Sequence, residues 1–221
     1  MGRRLAIIGA STLGRQIAHQ ASLADASFEV VGFFDDFAAV GGDVLGPVEI
    51  VQEEYDAGAF DCLAIGVGYN AMEFRASCAE RFSGRIPLAR IVSTGAFVDP
   101  SARIEEGAVV LTGTMIDQNV TIGANCFLSL GCSISHDTAV GSNSYFGPRA
   151  TICGRCRVGS RCFLGAGCVV REDIRIADGV TVGAGAVVVK SITAPGVYVG
   201  APARVLTPCS RKSHSRNEVE K

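Results

Sequence analysis

One histidine is the clearest candidate for acid–base chemistry. His136 lies in the segment ISHD, whereas the other two histidines, His19 and His214, lie near opposite ends of the chain. A neutral imidazole titrates near neutral pH and can remove a proton from an amine or a hydroxyl group. A single histidine is also common as a structural residue, so the residue type alone leaves both interpretations open.

Glycines and acidic residues near the N-terminus form a second candidate site. The apolar run LAIIG leads into a turn that contains Gly9 and Gly14, and a second apolar run ends in the acidic pair Asp35 and Asp36. A strand, a glycine turn, a helix and a second strand ending in an acid are typical of a nucleotide-binding βαβ unit. The glycines could equally serve only as tight turns, because Gly adopts backbone conformations that other residues avoid.

A parallel sheet would bring these N-terminal residues together. We predict strands at LAIIG, EVVGFFDD and DCLAIGVG, the last of which ends in a turn with Gly66 and Gly68. We predict helices at GASTLGRQIAHQASL and NAMEFRASCAERF. Ligands bind at the carboxyl edge of such a sheet, where the glycine turns lie. The sequence therefore predicts a Rossmann-like α/β domain over residues 1–90.

The following part of the chain repeats every six residues. From Val98 to Val188 every sixth residue is aliphatic or Phe, and the residue two positions earlier is mostly small. Neither a helix nor an alternating strand has this period, whereas a parallel β-helix has three such faces per coil. We therefore predict about five coils between residue 98 and about residue 189, within a β-helix domain over residues 91–206. Residues 18 positions apart should stack on adjacent coils. His136, two residues after the inward-facing Ile134, should point away from the filled interior.

The cysteines follow the same repeat. Cys153 and Cys156 have the CxxC spacing of redox and metal sites, but the repeat favours a packing role, because buried Cys behaves as a compact hydrophobe. Steps of 18 residues place no two of these cysteines on adjacent coils. Five of the nine cysteines occupy the small inward position: Cys126, Cys132, Cys156, Cys162 and Cys168.

Composition excludes several classes of partner. The chain has 20 basic and 22 acidic residues, so no basic excess favours nucleic acid. No apolar stretch approaches the roughly 18–20 residues of a membrane span. The N-terminus has the pattern of a first strand rather than a signal peptide, and we expect reduced thiols and a cytoplasmic protein. The polar, aperiodic residues 207–221 predict a disordered tail.

Together these motifs resemble the bacterial sugar acetyltransferases of the sialic-acid O-acetyltransferase type, one branch of which N-acetylates UDP- or GDP-linked 4-amino sugars. The resemblance implies a left-handed β-helix that forms a homotrimer. It also implies an N-terminal domain that holds the nucleotide sugar, and acetyl-CoA bound in the groove between neighbouring β-helices. The most specific motifs are IIGASTLGRQIA, GFFDD, AIGVGYN, ISHDTAVGSNSYFGPRATICG and GVYVGAPAR.

The resemblance also implies roles for individual residues. His136 would be the general base, Asp137 would hydrogen-bond its imidazole, and the N–H of Gly154 would stabilise the oxyanion. It implies no metal. The residues expected at the acceptor sugar nucleotide are Gly9, Ala10, Ser11, Gly14, Asp35, Asp36 and Gly66. Those expected at acetyl-CoA are Ser129, Tyr145, Gly154 and Ala166.

Three departures from the family pattern affect the identity of the sugar. Thr12-Leu13-Gly14 replaces a Gly-His-Gly core, Ser129 replaces an Asn near the reacting amine, and Tyr145 stands where some members have a second histidine. The fold and the use of acetyl-CoA survive these changes. The expected reaction is N-acetylation of a nucleotide-linked 4-amino-4,6-dideoxy sugar.

Alternative functions remain open at this stage. One is O-acetylation of sialic acid or a related sugar with the same base, and another is a non-catalytic trimeric nucleotide-sugar binder. A β-helical zinc carbonic anhydrase would need three histidine ligands, and the single histidine of the repeat region argues against it.

Overall fold

The computed structural model describes residues 2–24 and 28–206, so the predicted disordered tail lies outside the described residues. The first part is an α/β domain. Its strands are Arg3–Ile8 (β1), Phe28–Phe34 (β2), Val44–Gly46 (β3) and Cys62–Ile65 (β4). Its helices are Thr12–Ser22 (α1), Val51–Asp56 (α2) and Met72–Phe82 (α3). Short 3-10 turns lie at Val48–Ile50 and Tyr69–Ala71.

The four strands form one sheet in which all neighbouring strands are parallel, in the order β3-β2-β1-β4. Alternate residues of β1 point to opposite faces, so that Leu5 packs towards α1 and Ala6 towards α2 and α3. The last residues of three strands are in register, because Ile8 pairs with both Phe34 and Ile65. This aligned edge is where the predicted ligand turns begin.

The three predicted strands and two predicted helices of this domain are confirmed. Strand β3 and helix α2 were not predicted. They are only three and six residues long, which is too short for a periodic pattern to identify.

The second part is a parallel β-helix with three sheets in the described residues. The covered sheet consists of Ile91–Val92, Val109–Val110, Phe127–Leu128, Tyr145–Phe146, Phe163–Leu164, Val180–Val182, Gly196–Val199 and the antiparallel Arg204–Val205. The open sheet consists of Phe97–Val98, Met115–Ile116, Ser133–Ile134, Thr151–Ile152, Val169–Val170 and Val187–Val188. The arginine sheet consists of Arg103–Ile104, Thr121–Ile122, Ala139–Val140, Arg157–Val158 and Arg175–Ile176.

The predicted stacking of residues 18 apart is confirmed by the strand pairing. Ile122 lies beside Val140, and Ile134 lies beside Ile152. The strands of the β-helix begin at Ile91, and the described residues form about six coils, compared with the roughly five predicted between residue 98 and about residue 189. The coils therefore begin before the first repeat position at Val98, because Ile91 already pairs with Val109.

The interior of the β-helix is a stack of small and aliphatic side chains. The five repeat cysteines are completely buried within it and are free thiols. Cys153 is half-buried and is also a free thiol. The packing interpretation of the five cysteines is therefore confirmed.

The outer faces of the three sheets differ. On the covered sheet Val109 and Phe127 are fully buried against the α/β domain. On the open sheet Phe97 and Met115 are 60% and 55% exposed. The arginine sheet presents Arg103, Arg157 and Arg175. Within the described residues, no helix has the length and apolar character needed to span a membrane.

Candidate active site

His136 lies at one corner of the β-helix. We call the turns between the open and arginine sheets the histidine corner, and they include residues 117–120, 135–138 and 153–156. Ile134 points into the interior and is 1% exposed, whereas the His136 side chain is 37% exposed. The predicted outward orientation is therefore confirmed, and the imidazole can be reached from solvent.

Asp137 forms the predicted hydrogen bond to this imidazole. Its Oδ2 lies 2.9 Å from His136 Nδ1, and its Oδ1 accepts a hydrogen bond of 3.0 Å from Asn119 Nδ2 one coil earlier. Hydrogen bonds from His136 and then Asn119 hold the pKa of the Asp137 carboxyl below its usual value. An ionised carboxylate only accepts hydrogen bonds, so Nδ1 carries a proton and Nε2 of a neutral ring is free to act as a base.

Gly154 lies directly against the reactive edge of the imidazole. A Cβ atom at this position would be 2.7 Å from both Cε1 and Nε2 of His136. Glycine is therefore required for the ring to lie here. Among the described residues, the N–H of Gly154 donates to no acceptor. A base and an unused backbone donor thus stand side by side, which is the pair of groups that acyl transfer needs.

Sequence reasoning missed Asn119. It occupies the position 18 residues before Asp137, and both residues have left-handed backbone conformations, with φ of 57° and 58°. The repeat could have identified this contact, because stacked corner residues must face each other.

Two predicted acetyl-CoA residues lie at a different corner. Ser129 and Ala166 belong to the turns between the covered and open sheets, which we call the small-residue corner and which include residues 129–132, 147–150 and 165–168. A Cβ atom at Gly147 would lie 2.7 Å from the backbone nitrogen of Ala166, so the coils approach closely here. Within one chain, Ser129 and Ala166 are not brought together with His136.

Tyr145 lies in a third environment. Its ring is 9% exposed and stacks on Phe127, with ring centroids 4.6 Å apart. It also contacts Tyr69 of the α/β domain at a centroid distance of 5.6 Å. Burial raises the pKa of the Tyr145 hydroxyl. In this chain the ring contributes to the contact between the two domains, and its contact with acetyl-CoA stays a prediction.

The glycines of the α/β domain allow three backbone segments to meet. A Cβ atom at Gly9 would be 2.9 Å from the carbonyl oxygen of Gly66, and one at Gly14 would overlap the carbonyl oxygen of Gly9. A Cβ atom at Gly66 would be 2.7 Å from Cα of Gly14. These contacts require glycine whether or not a ligand binds, so the tight-turn interpretation explains their identity.

The acidic pair is also engaged in local structure. Asp35 Oδ2 accepts a hydrogen bond from the N–H of Ala10 at 2.8 Å, and Oδ1 accepts from Phe37 and Ala38. Burial alone would raise the pKa of Asp35, but these three backbone donors outweigh it and lower the pKa. Asp36 Oδ1 accepts from the N–H of Val48 at 2.8 Å. The carboxylates therefore fix the shape of the strand edge.

A cleft of about 210 Å³ opens at this edge. Five of the seven predicted acceptor residues line it: Gly9, Ser11, Asp35, Asp36 and Gly66. Ala10 joins them through its bond to Asp35, whereas Gly14 packs behind Gly9. Sequence reasoning missed Phe37 and Phe74, which line the cleft and are 95% and 40% exposed.

Comparisons with known proteins cover both parts of the chain. The GMPPB C-terminal domain family matches residues 92–194, within the β-helix. One similar solved structure is the acetyltransferase domain of PglB from Neisseria gonorrhoeae FA1090 in complex with acetyl coenzyme A. Its sequence is 27% identical to this one, and its TM-score is 0.85. The match covers 93% of this chain and 100% of that chain. Among curated proteins, none matches the sequence significantly.

Two further solved structures are similar over their whole length. PerB from Caulobacter crescentus, solved with CoA and GDP-perosamine, is 26% identical, with a TM-score of 0.82 over 94% of this chain and 98% of that chain. These matches confirm the predicted resemblance to the hexapeptide-repeat sugar acetyltransferases. WeeI from Acinetobacter baumannii AYE shares the fold, with a TM-score of 0.74 and 23% sequence identity to this chain. The match covers 91% of this chain and 99% of that chain.

Proposed function

We propose that this protein transfers the acetyl group of acetyl-CoA to the amine of a UDP- or GDP-linked 4-amino-4,6-dideoxy sugar in bacterial glycan biosynthesis. The observation that carries the proposal is the similarity over nearly the whole chain to PerB with CoA and GDP-perosamine bound. The exposed His136–Asp137 pair supplies the base, and the cleft at the strand edge supplies a site for the nucleotide. Acetyl-CoA is the co-substrate.

The histidine corner explains how the transfer would proceed. The amine nitrogen attacks the thioester carbon while Nε2 of His136 removes its proton. The carbonyl oxygen becomes an oxyanion, which the unused N–H of Gly154 stabilises. The intermediate then collapses, the C–S bond breaks, and the imidazolium returns the proton to the CoA sulfur. Asp137 stabilises the imidazolium and holds the ring in place.

The placement of the acetyl-CoA residues supports a homotrimer. Ser129 and Ala166 lie at a different corner from His136 of the same chain, so a site that uses all three needs a neighbouring copy. The exposed Phe97 and Met115 of the open sheet provide an apolar surface for such a copy. A left-handed sense for the β-helix, a Rossmann-like topology for the first domain and a cytoplasmic location are further parts of this proposal.

N-acetylation is favoured over the two alternatives. O-acetylation of a sialic acid would use the same base and donor, but PerB, crystallised with GDP-perosamine, points to a nucleotide-linked amino sugar. A non-catalytic binder would require that substrates cannot reach His136. The His136 side chain is 37% exposed, so solvent and substrates can reach it.

A direct assay tests this function. Acetyl-CoA consumption should be measured with UDP- and GDP-linked 4-amino sugars and, separately, with free sialic acids, and the product should be examined by mass spectrometry and for alkali-labile esters. We expect an alkali-stable amide on a nucleotide-linked sugar. Turnover only with sialic acids, giving an alkali-labile ester, would replace the proposal with the O-acetyltransferase function.

A further inference from the structure

Arg75 is a fully buried arginine at the boundary between the two domains. It lies on α3, its relative exposure is 0%, and no described carboxylate lies within salt-bridge distance of it. Burial lowers the pKa of Arg75 to about 10, so the guanidinium remains charged at neutral pH. Burying an unpaired charge is costly, and a packed apolar side chain would generally be more stable. Its presence calls for a role beyond packing.

The guanidinium binds both domains through carbonyl oxygens. Nη1 donates to the carbonyl oxygen of Ile65, the last residue of β4, at 2.7 Å and to that of Val67, in the turn that follows, at 3.2 Å. Nη2 donates to the backbone oxygen of Asn125 at 2.7 Å and to its Oδ1 at 2.9 Å, on the β-helix. Nε is buried without a partner among the described residues. Arg75 therefore links the turn after β4 directly to a corner of the β-helix.

The turn that Arg75 binds is a wall of the cleft. Val67 and Gly68 both line the cleft. The N–H and C=O groups of a trans peptide point in opposite directions. Since the carbonyl oxygen of Val67 is directed towards Arg75, the N–H of Gly68 points away from it, and this N–H donates to no described acceptor. A free backbone N–H at a cleft is a donor for a phosphate oxygen.

We propose that Arg75 is a positioning residue that orients the Val67–Gly68 peptide for the diphosphate of the acceptor and fixes the cleft relative to the β-helix. This inference rests on the proposed function. Arg75 itself does not touch the substrate, because it is enclosed. Loss of the guanidinium should weaken binding of the nucleotide and raise KM for the nucleotide-linked acceptor, while KM for acetyl-CoA stays constant.

The test compares Arg75→Met with the wild-type protein and with Arg81→Met, a matched control on the exposed side of the same helix. Dissociation constants for UDP and GDP should be measured by calorimetry well below the melting temperature. KM for the nucleotide-linked acceptor and for acetyl-CoA should be measured under the same conditions. We expect at least tenfold weaker nucleotide binding and a similarly raised acceptor KM in Arg75→Met, and no change in Arg81→Met. Unchanged nucleotide binding and acceptor KM, with only a lower melting temperature, would overturn the inference.

A second variant, Arg75→Lys, tests the inference if Arg75→Met does not fold. The ammonium group of Arg75→Lys keeps the charge but cannot span the same carbonyl oxygens as a planar guanidinium. We expect this variant to bind nucleotide several-fold more weakly than wild type, and wild-type affinity would overturn the inference. If the wild-type protein binds UDP or GDP but transfers no acetyl group, the proposed function fails while the effect of Arg75 on nucleotide binding is still measured.

Discussion

The histidine corner and the cleft of the α/β domain are built in opposite ways. At the histidine corner the important groups lie on a convex edge, with side chains 37% and 47% exposed for His136 and Asp137. In the cleft the backbone segments around Gly9 and Gly66 approach so closely that no side chain fits between them. The carboxylate of Asp35 is already occupied by backbone donors.

This contrast assigns the chemistry to the histidine corner and the recognition of the acceptor to the cleft. The walls of the cleft come from one chain, so the cleft can select a ligand by shape and by backbone donors. The histidine corner lacks walls of its own, and in the proposed trimer a neighbouring copy would supply them. Substitutions at the corner should therefore alter turnover with little effect on stability, whereas substitutions in the cleft should alter stability and binding together.

The largest expected effect is on catalysis at the corner. His136→Ala should lower kcat by about 10²- to 10⁴-fold, because the general base is lost, and should leave the melting temperature nearly unchanged. The exposed His19→Ala on α1 is the matched control. Steady-state kinetics and thermal unfolding would measure both effects. Near wild-type turnover in His136→Ala would assign the base to another group.

Two glycine substitutions should separate the two regions. In Gly14→Ala the new methyl group would overlap the backbone oxygen of Gly9, which cannot move away cheaply. We expect a loss of roughly 1–3 kcal/mol or more, seen as a lower melting temperature. In Gly154→Ala the methyl group would meet the tip of the His136 ring, so turnover should fall while stability changes little. Equal stability losses in both variants would remove the distinction between the regions.

A smaller effect should follow from the support of Asp137. Asn119→Ala removes one hydrogen bond to this carboxylate, which is worth ~1 kcal/mol or about fivefold in kcat. Arg161→Ala is a suitable control, because Arg161 has a similar backbone conformation, with φ of 54°, at another corner, and its side chain is exposed. Equal kcat values for these two variants would show that Asn119 does not position the catalytic pair.

The smallest expected effect is an acid-dependent loss of stability in the cleft. Because the pKa of Asp35 is lower in the folded protein, its carboxylate stabilises the fold above about pH 4. This contribution is lost as the pH falls through the lowered pKa. Asp35→Asn should therefore show a smaller fall in melting temperature between neutral and acid pH than wild type. Glu53→Gln, an exposed residue on α2, should retain the wild-type dependence, and an identical dependence in Asp35→Asn would contradict this account.

The sequence predicted the β-helix residue by residue because each buried position, such as Ile122 or Ile134, recurs with a fixed period. It also predicted the outward orientation of His136, which follows from the same register. It did not identify Arg75, Phe37 or Phe74 as important, because their surroundings come from distant segments. The partners of Asp35 were equally hidden, since backbone donors leave no mark in the sequence.

The central claim is that the α/β domain anchors the acceptor by its nucleotide. The most direct test compares kcat/KM for a UDP- or GDP-linked 4-amino sugar with that for the same amino sugar without the nucleotide. Binding energy from the nucleotide should hold the amine near the base and the thioester, so we predict a loss of at least about tenfold, or roughly 1.4 kcal/mol, when the nucleotide is removed. A smaller loss would contradict the account and favour a free sialic acid as the acceptor.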